Sequence, residues 1–175
     1  MRKVDIKAYY LFLKYILKDF IAFNAFFQAV ETRIHLLHSK SVQFLFKICK
    51  HFLKDELMKS FTENIMNIVF SEKENHKVLD EITFGSDCNE YLNEIIMQGH
   101  ENDVATVREN CLSFYVTAAE EIRKRLPINN IFLSKLNVFR PYITLFNTDR
   151  ETSFKDVSFV AKIINDFDED GLIKE

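Results

Sequence analysis

Apolar residues recur along this chain at the three-and-four spacing that stacks side chains on one face of a helix. Leu13, Leu17, Phe20, Phe23 and Phe27 step by four, three, three and four, which predicts one helix from about Asp5 to Val30. Tyr10, Ile16, Ile21 and Phe26 widen its apolar face, so this helix reads as buried on more than one side, with Lys7, Lys14 and Lys18 on the opposite stripe. Ile34, Leu37, Leu45, Ile48 and Phe52 repeat the pattern and predict a second helix from about Thr32 to Leu53. The Thr32 hydroxyl is placed to cap it, accepting from an otherwise unpaired backbone N–H.

Leu57, Phe61, Ile65 and Ile68 keep helical spacing from Asp55 to Phe70, after which the polar run Ser71 to His76 reads as a loop. Val78 to Phe84 fits either a short helix or an extended piece, and Gly85-Ser86-Asp87 is the clearest break in the chain. Val104, Val107, Cys111, Phe114, Ala118 and Ile122 then mark the longest clean helix. Basic and acidic residues crowd its last turns, and Pro127 closes it, because the residue before a proline disfavours helical backbone. Asn129 or Asn130 can cap a short helix through Leu136, and a link marked by Pro141 leads to a last helix over about Ser153–Asn165. The expected fold is all-α, an irregular multi-helix bundle over residues 1–150 followed by a terminal helix and acidic tail over 151–175.

Composition strengthens that reading. Gly (3) and Pro (2) are scarce while Phe (18) is abundant, and sheets and tight turns consume the first two whereas helices avoid them. Three cysteines, Cys49, Cys88 and Cys111, have no framework spacing and sit in apolar contexts, which points to reduced thiols and an intracellular protein. Lys14, Lys18 and Asp19 interrupt the first apolar stretch, so a signal peptide is not expected, and no uninterrupted apolar run is long enough to imply a membrane span. Residues 1–60 hold eleven Lys/Arg against five Asp/Glu, while residues 61–175 hold twelve against twenty-one. The basic part is therefore free to face nucleic acid, or simply to face the acidic part.

Three features carry candidate chemistry. Arg33, Lys40, Lys47 and Lys54 recur every seven residues, with Lys50 beside them. On a helix they form one basic stripe that tracks DNA phosphates, or serves only as a solvated face. His35 and His38 share a helix face at metal-ligand spacing, although their apolar neighbours suit packing histidines better. Asp166, Asp168 and Asp170, followed by Gly171, match the start of an EF-hand calcium loop, but the chain stops at Glu175, short of the glutamate that closes such a loop. No phosphate-binding glycine loop, nucleophile elbow or catalytic carboxylate pair is present, so no enzyme activity and no cofactor are expected.

The order of certain segments resembles a known family. Phe20-Ile-Ala-Phe-Asn24-Ala-Phe26-Phe27-Gln28, then Ile34-His35-Leu-Leu-His38, then Cys111-Leu-Ser-Phe114-Tyr115 through Ile122, Arg125 and Pro127, is similar to hAT-superfamily transposases and host proteins derived from them. Asn130 through Pro141 continues the likeness, which covers roughly residues 10–145. The resemblance implies the helical region that interrupts a ribonuclease-H-like nuclease. Its two catalytic aspartates would lie before Met1 and its glutamate after Glu175, so no catalytic residue is carried over. The tryptophan typical of that region is missing, since the chain has no Trp. The expected role is a non-enzymatic structural or DNA-adjacent module in the nucleus. Its expected partners are DNA, other parts of a parent protein, or a second copy. The alternative is an unrelated helical interaction domain, calcium-responsive through the acidic tail.

Overall fold

The computed structural model describes residues 3–28, 33–140 and 150–165. Eight α-helices run through them: α1 (Lys3–Phe27), α2 (Ile34–Cys49), α3 (Asp55–Lys59), α4 (Phe61–Asn64), α5 (Ser86–Met97), α6 (Glu101–Arg125), α7 (Ile131–Lys135) and α8 (Arg150–Asn165). Among the described residues no strand forms, only an isolated antiparallel bridge between Leu53 and His76. The protein is an all-α multi-helix bundle.

Contacts divide the chain into two compact units: Met1–Ala29 with Gln43–Arg125, and Val30–Val42 with Leu126–Glu175. This cut is a different one from the expected division at residue 150. In the second unit α8 packs with α7 and with a 3₁₀ turn over Leu136–Phe139, and Lys135 pairs with Asp156 at 2.7 Å. Asn130 caps α7, its side chain accepting from the Leu133 N–H at 2.9 Å, as its place before an apolar run predicts.

The first unit is built on Tyr115. Its ring stacks on those of His51, Phe52 and Phe84 and takes Phe12 edge-on at 5.2 Å. Its hydroxyl donates to the Thr83 carbonyl at 2.6 Å, so the one polar atom brought inside is satisfied. Phe12, Ile16, Leu45, Ile48, Leu92 and Val107 fill the space around it.

Four expectations need correction. The second helix ends at Cys49, not Leu53, and residues 52–54 instead bond to 75–77: the Lys77 N–H donates to Phe52 O, and the Lys54 N–H to Asn75 O. The expected helix from Asp55 to Phe70 breaks at Ser60 and again after Asn64. The cause is burial of both Ile68 and Phe70, two residues apart, which one helical face cannot provide. Arg123 takes the carbonyls this frees, donating to Ile68 O at 2.5 Å and Ile65 O at 3.3 Å while lying 4.1 Å over the Phe70 ring. Helix α5 was not foreseen, although Cys88, Leu92 and Ile95 carry its buried face at steps of four and three. Gly85 starts it at φ +94°, and a Cβ there would lie 2.6 Å from Tyr15 Cγ, so the break requires glycine. Finally, α1 is buried on one side only: Ala8, Phe12 and Ile16 face the core, while Ile6, Tyr10, Leu17 and Ile21 are exposed. The proposed Thr32 cap lies outside the described residues.

Candidate functional site

The seven-residue repeat of basic residues does not make one helical stripe. Helix α2 carries only Lys40 and Lys47; Arg33 precedes it, and Lys50 and Lys54 follow its end. Arg33 and Lys40 are half-buried and belong to the second unit, whereas Lys47, Lys50 and Lys54 are exposed and belong to the first. A repeat in sequence becomes a stripe only while the helix lasts, and this one stops because Phe52 and Leu53 turn inward to pair with the 75–77 segment.

What the fold assembles instead is a lysine face on the first unit, drawn from three segments. Lys14 and Lys18 stand one turn apart on α1. Lys47 and Lys50 come from the end of α2 and the turn after it, and Lys54 and Lys77 from the paired segments beyond. Lys14 and Lys18 share a small pocket with Tyr15, and Lys47, Lys50 and Lys77 act electrostatically on half-buried His51, whose ring centroid lies 5.6 Å from that of Tyr15. Lys47 lies 2.5 Å from Asp19, Lys14 3.2 Å from Asp87 and Lys77 3.1 Å from Asp55. Lys77 also donates to the Lys50 carbonyl, and Lys54 to the Glu74 carbonyl. Three aspartates thus hold three of the six lysines in place. Lys18 and Lys50 are exposed and make no ion pair among the described residues.

The electrostatics follow from this layout. The hydrogen bond from Lys14, and then its charge, hold the Asp87 carboxyl below its ordinary pKa, with Lys18 adding a smaller pull. Beneath the lysines the pKa of His51 is lowered as well: burial is the first cause, and Lys47, Lys77 and Lys50 act in the same sense against Asp19. Its Nε2 is buried without a hydrogen-bond partner in the structure, consistent with a neutral ring stacked on Tyr115. Beside the face a groove of about 520 Å³ has Leu79, Leu112 and Val116 as its apolar part and Lys73 and Lys77 among its polar ones.

The remaining candidates are not brought into any such arrangement. His38 Nε2 lies 3.0 Å from the Ile128 carbonyl, a structural tie within the second unit, and among the described residues no three metal-ligating side chains converge. Asp166, Asp168 and Asp170 lie outside the described residues. All three thiols are buried and unpaired; burial pushes Cys88 up to about 11 and Cys111 to about 12, and raises Cys49 as well. No described helix is long and apolar enough to cross a membrane. Sequence reasoning placed Lys14 and Lys18 on the polar side of α1 but did not connect them with Lys47 and Lys50. The only signal for that link is Asp19, the acid next to Lys18 that Lys47 finds across the helix pair.

No family model, curated protein or solved structure matches this chain.

Proposed function

We propose that this chain is a non-enzymatic helical module of a transposase-derived protein of the hAT kind, acting in the nucleus and touching DNA through phosphate contacts of its lysine face. The observation that carries the DNA reading is the clustering of Lys14, Lys18, Lys47, Lys50 and Lys77 about the Tyr15–His51 pair with three aspartates among them, Lys18 and Lys50 making no ion pair among the described residues. Such a face neutralises phosphates without reading bases, because ammonium groups on flexible stems act as point charges. The segments that carry the family resemblance support the module reading: Asn24 to Gln28 close α1, Ile34 to His38 open α2, and Cys111 and Tyr115 of α6 are core residues. These residue types then serve to build the bundle, with Tyr115 at its centre.

The test is binding of the full chain to a short duplex across a salt series. Log K should fall with log salt by about 0.9 per phosphate neutralised. The double variant Lys18→Glu/Lys50→Glu should weaken binding at least tenfold and flatten that slope by about 2. Absence of binding at low salt removes the DNA part and leaves a structural module. The transposase part is tested separately by the genomic DNA on either side of the reading frame. Strands bearing two aspartates upstream and a glutamate segment downstream would support it, and neither would sink it.

A further inference from the structure

Helix α1 carries a second apolar face that nothing among the described residues covers. Ile6, Tyr10, Leu17 and Ile21 are 54, 67, 42 and 66% exposed, and Leu13 between them is half-buried. At 3.6 residues per turn these five fall within an arc of about 80°, on the side away from the core residues Ala8, Phe12 and Ile16. A helix with one apolar stripe packs on its own domain; a second stripe on the opposite side needs another partner.

The spacing of the stripe says what kind of partner. Positions 6, 10, 13, 17, 20 and 24 alternate steps of four and three, the 3.5-residue repeat by which one helix keeps a constant seam against another. Ile6, Leu13 and Phe20 occupy one set of seam positions, and Tyr10, Leu17 and Asn24 the other. Phe20 is drawn partly inward onto Phe44, 5.0 Å away. Asn24 is exposed at the far end of the seam. An asparagine there is costly against an apolar residue and is satisfied by its own equivalent, which fixes both register and parallel direction.

Charge agrees with self-pairing in that direction. Lys7 and Lys14 line one edge of the seam, while Asp19 on the same helix is turned to Lys47. An antiparallel pair would set the lysine edge of one helix against the lysine edge of the other. A parallel pair keeps the two lysine edges apart, with Lys14 still turned to Asp87. We propose that α1 pairs in parallel with α1 of a second copy of this chain, through Ile6, Tyr10, Leu13, Leu17 and Asn24. The stripe is about 27 Å long, and a single helix seam of that length buries well under the roughly 800 Å² per partner of a standard interface. The dimer is therefore weak and concentration-dependent. It does not rest on the DNA reading.

The experiment is sedimentation velocity of the full chain from low to high micromolar concentration, with reducing agent present. A monomer–dimer equilibrium is expected, and Tyr10→Glu/Leu17→Glu should weaken it at least tenfold with unchanged helicity, since both residues lie outside the core. Mild oxidation of Asn24→Cys should then give a covalent dimer, while the parent chain, whose thiols are all buried, should not cross-link. This second variant tests the pairing even if the glutamates disturb folding. A monomer at every concentration overturns the proposal and assigns the face to another protein or to further parts of a longer chain. A dimer indifferent to the glutamates overturns it too. So does a cross-link formed between Ile6→Cys and Asn24→Cys copies but not between two Asn24→Cys copies, which would make the pair antiparallel.

Discussion

Replacing Arg123 tests how the irregular segment after α3 is held. Its guanidinium donates to two carbonyls, Ile68 O at 2.5 Å and Ile65 O at 3.3 Å, and covers the Phe70 ring at 4.1 Å. Ile65, Ile68 and Phe70 are all buried, so water replaces the lost donor poorly. In Arg123→Met the aliphatic stem stays and the fork goes. The short charged hydrogen bond nets about 1.5–3 kcal/mol, and the half-buried cation–π contact adds about 1. The longer bond is too weak to add much. The expected loss is about 3 kcal/mol, or roughly 12 °C in Tm at about 4 °C per kcal/mol for a domain near this size. Urea and thermal unfolding followed by circular dichroism measure it. Arg123→Lys should recover only part, because a single ammonium cannot serve two carbonyls and a ring at once. The neighbouring Lys124→Met, at an exposed position, should stay within about 0.5 kcal/mol of the parent. If Arg123→Met also stays within about 0.5 kcal/mol, the segment holds itself and the reasoning is wrong.

Other expectations follow from the same core. Gly85→Ala should cost roughly 1–3 kcal/mol in denaturant unfolding, because the backbone there has φ +94° and the new methyl would meet the Tyr15 ring. Tyr115→Phe should cost about 1 kcal/mol by removing the donor to Thr83 O; no loss in urea unfolding would mean that water reaches that carbonyl. The folded pKa of His51 is lowered by burial, so its contribution is fully present above about pH 6.5, the unfolded value. It is lost as the pH falls from there toward the folded value, because the unfolded chain takes up the proton first. A stability–pH series should show that decline, and His51→Phe should flatten it. The native chain should resist alkylation of Cys49, Cys88 and Cys111 at pH 8, since burial holds all three as thiols. Denaturant should expose three, and mass spectrometry counts them.

Local periodicity was enough to identify the long elements. The steps of three and four from Leu13 to Phe27 and from Val104 to Ile122 lie on α1 and α6, and the Asn130 cap needed only its own neighbours. Such signals are legible because a helix satisfies its backbone within one segment. Residues 55–85 obeyed no local rule. Ile68 and Phe70 are both inside because Arg123, more than fifty residues later, receives the carbonyls that a helix would otherwise have bonded. The lysine face is also a product of packing: Lys18 and Lys50 share it only because α1 and the end of α2 meet through Asp19–Lys47 and Tyr15–His51. The apolar pattern on α1 is wider than one packing face, and no rule of spacing says which side the rest of the chain will cover. Tertiary structure buried Phe12 and Ile16 and left Tyr10 and Leu17 in solvent. The sequence alone determined that this chain is helical and where its long helices run. Packing decided which of their faces remain to meet something else, because the hydrophobic effect rewards buried area without specifying the partner.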